Sequence, residues 1–84
     1  MIGTSTDVVL KAQIPNRGLF QISTRTLDLM ITRYLPADLP ELCAEIDRRW
    51  REDLGQPLEI PARYEVHTIT EALFILAELD GLGL

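Results

Sequence analysis

Apolar and polar residues alternate near the start of the chain. Residues 8–14 place an apolar side chain at every second position, which predicts a β-strand with one buried face. Residues 15–18 read Pro-Asn-Arg-Gly, a composition typical of a tight turn. We expect residues 19–22 to return antiparallel, so this region predicts a β-hairpin.

The spacing of apolar residues then changes to that of α-helices. Ser23 is a suitable N-cap for a short helix, and Pro36 is expected to end it. The predicted buried stripe of this helix is Leu27, Met30, Ile31 and Tyr34. Asp38 opens a capping box for a second helix over residues 39–54, and Gly55 is its expected end. The buried stripe of the second helix is Leu39, Leu42, Cys43, Ile46 and Trp50.

The last third of the chain combines short extended segments with one strongly apolar helix. Residues 58–60 lie between two prolines and predict an edge strand or an extended connector. Residues 63–67 are a candidate third strand, with Tyr64 and Val66 on one face. A Thr-x-x-Glu capping box then predicts a final helix over residues 69–80.

Together these elements predict a small α+β domain. The expected order is ββα α(β)α, with a β-hairpin and a possible third short strand packed on three helices. The chain has 84 residues, of which 46% are hydrophobic and 25% charged, as is usual for one globular domain. We expect a single compact domain over residues 1–84, with residues 1–6 loose.

The final predicted helix is apolar around most of its circumference. Eight of its twelve residues are apolar, and a fold this small has little material to cover them. One interpretation is a central core helix enclosed by the rest of the domain. We expect instead that one flank stays open for a partner, because large apolar patches are rarely left bare on soluble monomers. The residues expected at this partner interface are Phe74, Ile75, Glu71, Glu78 and Leu82. The core-facing side is expected to comprise Ile69, Ala72, Leu73 and Leu76.

An open apolar flank predicts a function in protein assembly. We expect a non-enzymatic protein–protein interaction or assembly subunit that acts through the C-terminal helix. Its partner would be a second copy of the chain, giving a homo-oligomer, or another protein in a complex. The predicted strand over residues 8–14 offers a second docking surface, by strand addition.

The distribution of charge raises two alternatives. The net charge is −5, and residues 43–84 account for all of it, with four arginines against nine acidic residues. The first alternative is an acidic inhibitor or decoy that occupies a basic nucleic-acid-binding groove of a partner protein, through Glu45, Asp47, Glu52, Asp53 and Glu59. The second is a helix-turn-helix-like nucleic-acid binder that uses Arg48, Arg49 and Arg51. The acidic balance opposes direct nucleic-acid binding.

Residues suited to catalysis or metal binding are few. Cys43 falls on a predicted buried stripe, and His67 immediately precedes the last helix cap. One cysteine and one histidine cannot assemble a structural zinc site. We therefore expect no catalytic residues, metal or cofactor. A lone cysteine and the lack of a long uncharged apolar run predict a cytoplasmic protein that does not enter the membrane.

Overall fold

The computed structural model describes residues 8–15, 17–56 and 59–84. The predicted hairpin is confirmed: strand β1 (Val9–Ile14) pairs antiparallel with strand β2 (Gly18–Ser23). Residues 1–6, for which we predicted a loose conformation, lie outside the described part of the chain.

Three α-helices follow the hairpin. They are α1 (Thr24–Tyr34), α2 (Leu39–Leu54) and α3 (Ile69–Leu79), and a short 3-10 helix (Ala62–Tyr64) lies between the last two. Helix α2 ends at Gly55, whose φ of 75° is a left-handed conformation that glycine adopts without steric cost. The α+β class and the order of the main elements are confirmed.

Side-chain caps fix the start of each α-helix. Ser23 accepts a hydrogen bond from the backbone N–H of Thr26 at the start of α1. Capping boxes open α2, between Asp38 and Glu41, and α3, where the N-cap threonine and Glu71 satisfy each other's backbone N–H groups. Each box satisfies N–H groups that a helix start leaves without intrahelical partners, which explains why these starts were predictable.

The two strands of the hairpin bury one face against the helices. Leu10 lies opposite Ile22, and Ala12 lies opposite Phe20. Along β1, burial rises from the half-buried Leu10 and Ala12 to the fully buried Ile14, whereas Ile22, which lies opposite Leu10 on β2, is fully buried. The inward-facing side chains of the sheet are therefore least enclosed at Leu10, Ala12 and Phe20.

Helix α3 is the centre of the domain. Both strands and both other α-helices contact it. Its residues from Ala72 to Ala77 are all buried, and the rest of the buried apolar core comprises Ile14, Ile22, Met30, Leu42, Cys43, Ile46, Ala62 and Val66. A helix enclosed on several sides needs apolar residues around most of its circumference, which is the pattern that the sequence contains.

The prediction of a third strand over residues 63–67 is wrong. The backbone N–H groups of Glu65 and Val66 both donate to the carbonyl of Ala62, so local bonds wind this segment instead of leaving it extended. Tyr64 is 61% exposed while Val66 is buried, so the two side chains do not share a face. The edge strand or connector predicted over residues 58–60 lies partly outside the described residues.

Two residues predicted on buried stripes are exposed. Ile31 of α1 is 40% exposed, and Ile69, the first residue of α3, is 37% exposed. Ile69 lies at the helix end, beyond the part of α3 that the other elements enclose. Helical spacing alone does not distinguish such end positions from the centre of a stripe.

Candidate functional site

The structure does not leave the predicted apolar flank of α3 open. Phe74 is 3% exposed and Ile75 is fully buried within the single chain. The expectation of an open flank is wrong because the hairpin, α1 and α2 cover α3 from different sides. These two side chains are therefore part of the core and do not form an accessible surface.

The other three residues predicted at this interface have structural partners within the chain. The carboxylate of Glu71 accepts hydrogen bonds from the backbone N–H groups of His67 (2.7 Å) and Thr68 (3.2 Å). Leu82 is half-buried and packs against the core. Glu78 is exposed on α3, and its carboxylate lies over the backbone of Gly83.

Most of the acidic residues proposed for a decoy surface have partners in the chain. Glu45 and Glu52 both form ion pairs with Arg48. Asp47 accepts a hydrogen bond from the backbone N–H of Ala62 at 2.9 Å. In the same set, Asp53 lies 3.7 Å from Arg49, and Glu59 is exposed. This surface is therefore interleaved with guanidinium groups and is not a continuous patch of negative charge.

The arginines proposed for nucleic-acid recognition are likewise engaged. Arg48 is bridged between Glu45 and Glu52, which raises its pKa above the usual range. Arg49 is turned toward the C-terminal end of α3, and Arg51 is exposed. An arginine already paired with carboxylates has to break those pairs before it can contact a phosphate or a base edge.

A cluster of charged residues joins the C-terminal end of α3 to α1 and α2. The carboxylate of Asp80 accepts hydrogen bonds from Arg33 (2.9 Å) and Tyr34 (3.0 Å), and it lies 2.6 Å from a guanidinium nitrogen of Arg49. Burial alone would raise the pKa of Asp80, but the bonds from Arg49, Tyr34 and Arg33 outweigh it and hold that pKa below the ordinary value. Burial and the neighbouring Asp80 raise the pKa of Tyr34. We call these four residues the helix-end cluster.

A second cluster fixes the turn of the hairpin. The side chain of Arg17 is only 5% exposed, and its Nη2 atom lies 2.7 Å from Oε1 of Glu65. This contact lacks hydrogen-bond geometry, so it is a charge–charge attraction. The guanidinium also lies 5.5 Å from the ring centroid of Trp50.

Burial, reinforced by Asp47, raises the pKa of the nearby Cys43 thiol, which disfavours a thiolate nucleophile.

Sequence reasoning missed both clusters. Apart from contacts within a helix or between neighbouring helices, the residues that touch in each cluster lie 30 or more positions apart in the sequence. No local spacing indicates such pairs, because the tertiary fold alone brings them together. The helix-end cluster is bonded within the chain, whereas Nε and Nη2 of Arg17 are buried without a hydrogen-bond partner among the described residues.

The two edges of the hairpin differ in their backbone partners. The N–H of Thr24 donates to the carbonyl of Val8, so these two residues form a hydrogen-bonded pair. Along an antiparallel ladder, hydrogen-bonded pairs alternate with non-bonded pairs. The backbone groups of residues 10, 12 and 14 therefore point toward β2, and those of residues 9, 11 and 13 point away from it. By the same alternation the carbonyl of Gln21 points away from β1, and there it accepts a bond of 2.8 Å from Leu84.

The outer edge of β1 has no equivalent partner. Within the described part of the chain, no backbone group bonds to the outward N–H and carbonyl groups of Val9, Lys11 or Gln13. All three side chains are exposed, Val9 at 48%, and the preceding Val8 is 55% exposed. We call the outward backbone groups of these three residues the free edge.

Metal-binding and membrane-spanning features are also absent from the described residues. They contain no group of three or more His, Cys, Asp or Glu side chains placed to hold a metal ion. No helix among them combines the length and the apolar character needed to cross a bilayer. Comparison of the chain with protein-family models, curated proteins and solved structures gave no match.

Proposed function

We propose that this chain is a non-enzymatic protein–protein interaction module that binds an extended segment of another protein by strand addition to the free edge. The observation that carries the proposal is the row of outward backbone groups at Val9, Lys11 and Gln13, which have no backbone partner in residues 8–15, 17–56 and 59–84 and lie beside exposed side chains. An exposed strand edge is a ready template for pairing, because each added backbone hydrogen bond satisfies a donor and an acceptor.

Packing beside the free edge supports the same function. Leu10 and Ala12 face the core but are only half-buried, whereas Ile22 on the paired strand is fully buried. A strand added next to β1 would place its own inward-facing side chains beside Leu10 and Ala12. Apolar burial would then add to backbone hydrogen bonding in stabilising the complex.

The two charge-based alternatives have weaker support. The decoy function needs carboxylates that face solvent without local cations, but Glu45 and Glu52 share Arg48. The helix-turn-helix function needs arginines that are available to phosphates, but Arg48 and Arg49 are both paired with carboxylates. Either function would be favoured over strand addition if binding depended on these residues and not on β1.

A site-specific photo-crosslinker tests the proposal in cells that express the full chain. The crosslinking residue is placed at Gln13 on the free edge and, as a matched control, at Thr32 on the exposed side of α1. We expect a defined protein to crosslink from position 13 and not from position 32. Lys11→Pro should abolish the crosslink because it removes an outward N–H and introduces a ring at the edge, while Lys11→Ala should retain it.

Two results would contradict strand addition. One is a crosslink from position 13 that persists in the Lys11→Pro protein, provided that circular dichroism confirms an unchanged fold. The other is a partner that crosslinks equally well from both positions, which would indicate a contact made elsewhere on the molecule.

A further inference from the structure

The charge on the free edge indicates which strands it accepts. Lys11 is at the centre of the edge, between Val9 and Gln13, and its cross-strand neighbour is the neutral Gln21. Among the described residues, no carboxylate forms an ion pair with Lys11. By contrast, Arg17, Arg33, Arg48 and Arg49 all pair with carboxylates; Arg51 and Arg63 form no ion pair among the described residues, but neither lies on the sheet.

We propose that the partner of the free edge is an extended segment with one acidic residue between two apolar residues, the acidic residue lying opposite Lys11. This inference rests on the proposed function and specifies the chemistry of its partner. Side chains alternate between the faces of a sheet, so a residue opposite Lys11 lies on the outer face and its two neighbours lie on the inner face. There the neighbours meet Leu10 and Ala12, which favours apolar side chains.

Lys11 also disfavours pairing of β1 with a second copy of itself. The antiparallel register that places Leu10 against Ala12 of the other copy also places Lys11 opposite Lys11. Like charges directly opposite each other destabilise a strand pair, and lysine on an edge strand commonly prevents such self-association. A carboxylate at that position converts the same contact into an attraction.

A set of tethered strands tests this chemistry with the full-length chain. The probe Thr-Thr-Val-Glu-Val-Thr-Thr is joined to the N-terminus through a flexible Gly/Ser linker, which gives an effective concentration of about 1 mM. Matched probes carry Gln or Lys in place of the central Glu, and a fourth carries proline at both valine positions. Amide hydrogen exchange measured by NMR reports the protection of the Val9, Lys11 and Gln13 N–H groups.

We expect the Glu probe to protect these amides about two- to fivefold more than the Gln probe, with the Lys probe weakest. The proline probe should give no protection. In the Lys11→Glu protein the order should reverse, so that the Lys probe protects most. High salt should reduce the differences between the three probes because it screens exposed charges.

The outcomes separate this inference from the proposed function. Equal protection by the Glu, Gln and Lys probes would overturn the acidic partner and leave strand addition intact. No protection by any probe would overturn both. A concentration-dependent dimer of the unmodified chain that dissociates with Lys11→Pro would identify a second copy as the occupant and would also overturn the acidic partner.

Discussion

The two edges of the β-hairpin differ in whether their outward backbone groups have hydrogen-bond partners. On β2 the outward carbonyl of Gln21 is bonded to Leu84, and the chain continues from Ser23 directly into α1. On β1 the outward groups of Val9, Lys11 and Gln13 have no backbone partner in the described residues. Helix α3 therefore completes the core, while no described residue covers the outer edge of β1.

We expect the largest loss of stability from a change in the turn that joins the two strands. Arg17→Ala leaves Glu65 buried without its cation, so we expect a loss of about 3–5 kcal/mol in the free energy of unfolding. The double variant Arg17→Met with Glu65→Leu removes both charges and should recover most of that loss. Urea denaturation monitored by circular dichroism measures both. A loss below about 0.5 kcal/mol for Arg17→Ala would mean that the turn is not anchored by this pair.

Proline substitution distinguishes the two sides of β1 directly. Ala12→Pro removes an N–H that points toward β2, and we expect it to cost about 1–3 kcal/mol because the facing carbonyl loses its donor. Lys11→Pro removes an outward N–H and should cost less than about 1 kcal/mol. Equal losses in urea denaturation would show that the assigned alternation of inward and outward groups is wrong.

The helix-end cluster provides a control that is remote from the free edge. The pKa of Asp80 is lowered in the folded protein, so its ionised form stabilises the fold above the unfolded pKa, close to the ordinary value of 3.8. That contribution is lost as the pH falls through the lower, folded pKa. We expect Asp80→Asn to cost about 1–3 kcal/mol at pH 7 and progressively less below pH 3.8.

Asp80→Asn should not change strand binding at the free edge. Unfolding measured across the acidic pH range checks the first expectation, and protection of the Lys11 amide by the tethered Glu probe checks the second. A difference from wild type that grows as the pH falls would contradict the lowered pKa of Asp80.

The smallest expected effect concerns the covered edge of β2. Leu84→Pro removes the N–H that bonds to Gln21, whereas Leu84→Ala retains it. We expect the proline variant to be less stable than the alanine variant by about 0.5–1.5 kcal/mol, the usual net contribution of one hydrogen bond. Identical unfolding curves for the two variants would indicate that this bond does not hold the edge.

Local signals in the sequence predicted most of the fold. Period-two alternation identified β1, and the capping boxes at Asp38 and Thr68 placed the starts of α2 and α3. The segment after Pro61 was misread because a short alternation also fits a 3-10 turn. The Asp47 carboxylate of α2 also accepts a hydrogen bond from the Ala62 N–H, a contact between distant residues that the local pattern does not indicate.

The candidate site was predicted only in part. The strand at residues 8–14 was recognised as a possible docking edge, but the main surface was expected at Phe74 and Ile75. Composition indicated correctly that α3 needs cover on several sides, and it could not indicate that α1, α2 and the hairpin supply that cover. Packing of elements distant in sequence decides this, and no pattern within α3 encodes it.

Amide hydrogen exchange of the free, monomeric protein tests the central claim most directly. The N–H groups of Leu10, Ala12 and Ile14 should exchange slowly because they bond to β2, whereas those of Val9, Lys11 and Gln13 should exchange at nearly the rate of an unfolded peptide. This alternation of slow and fast amides along β1 is the predicted result. Strong protection of Val9, Lys11 and Gln13 in the monomer would mean that the edge is already occupied, and strand addition there would be ruled out.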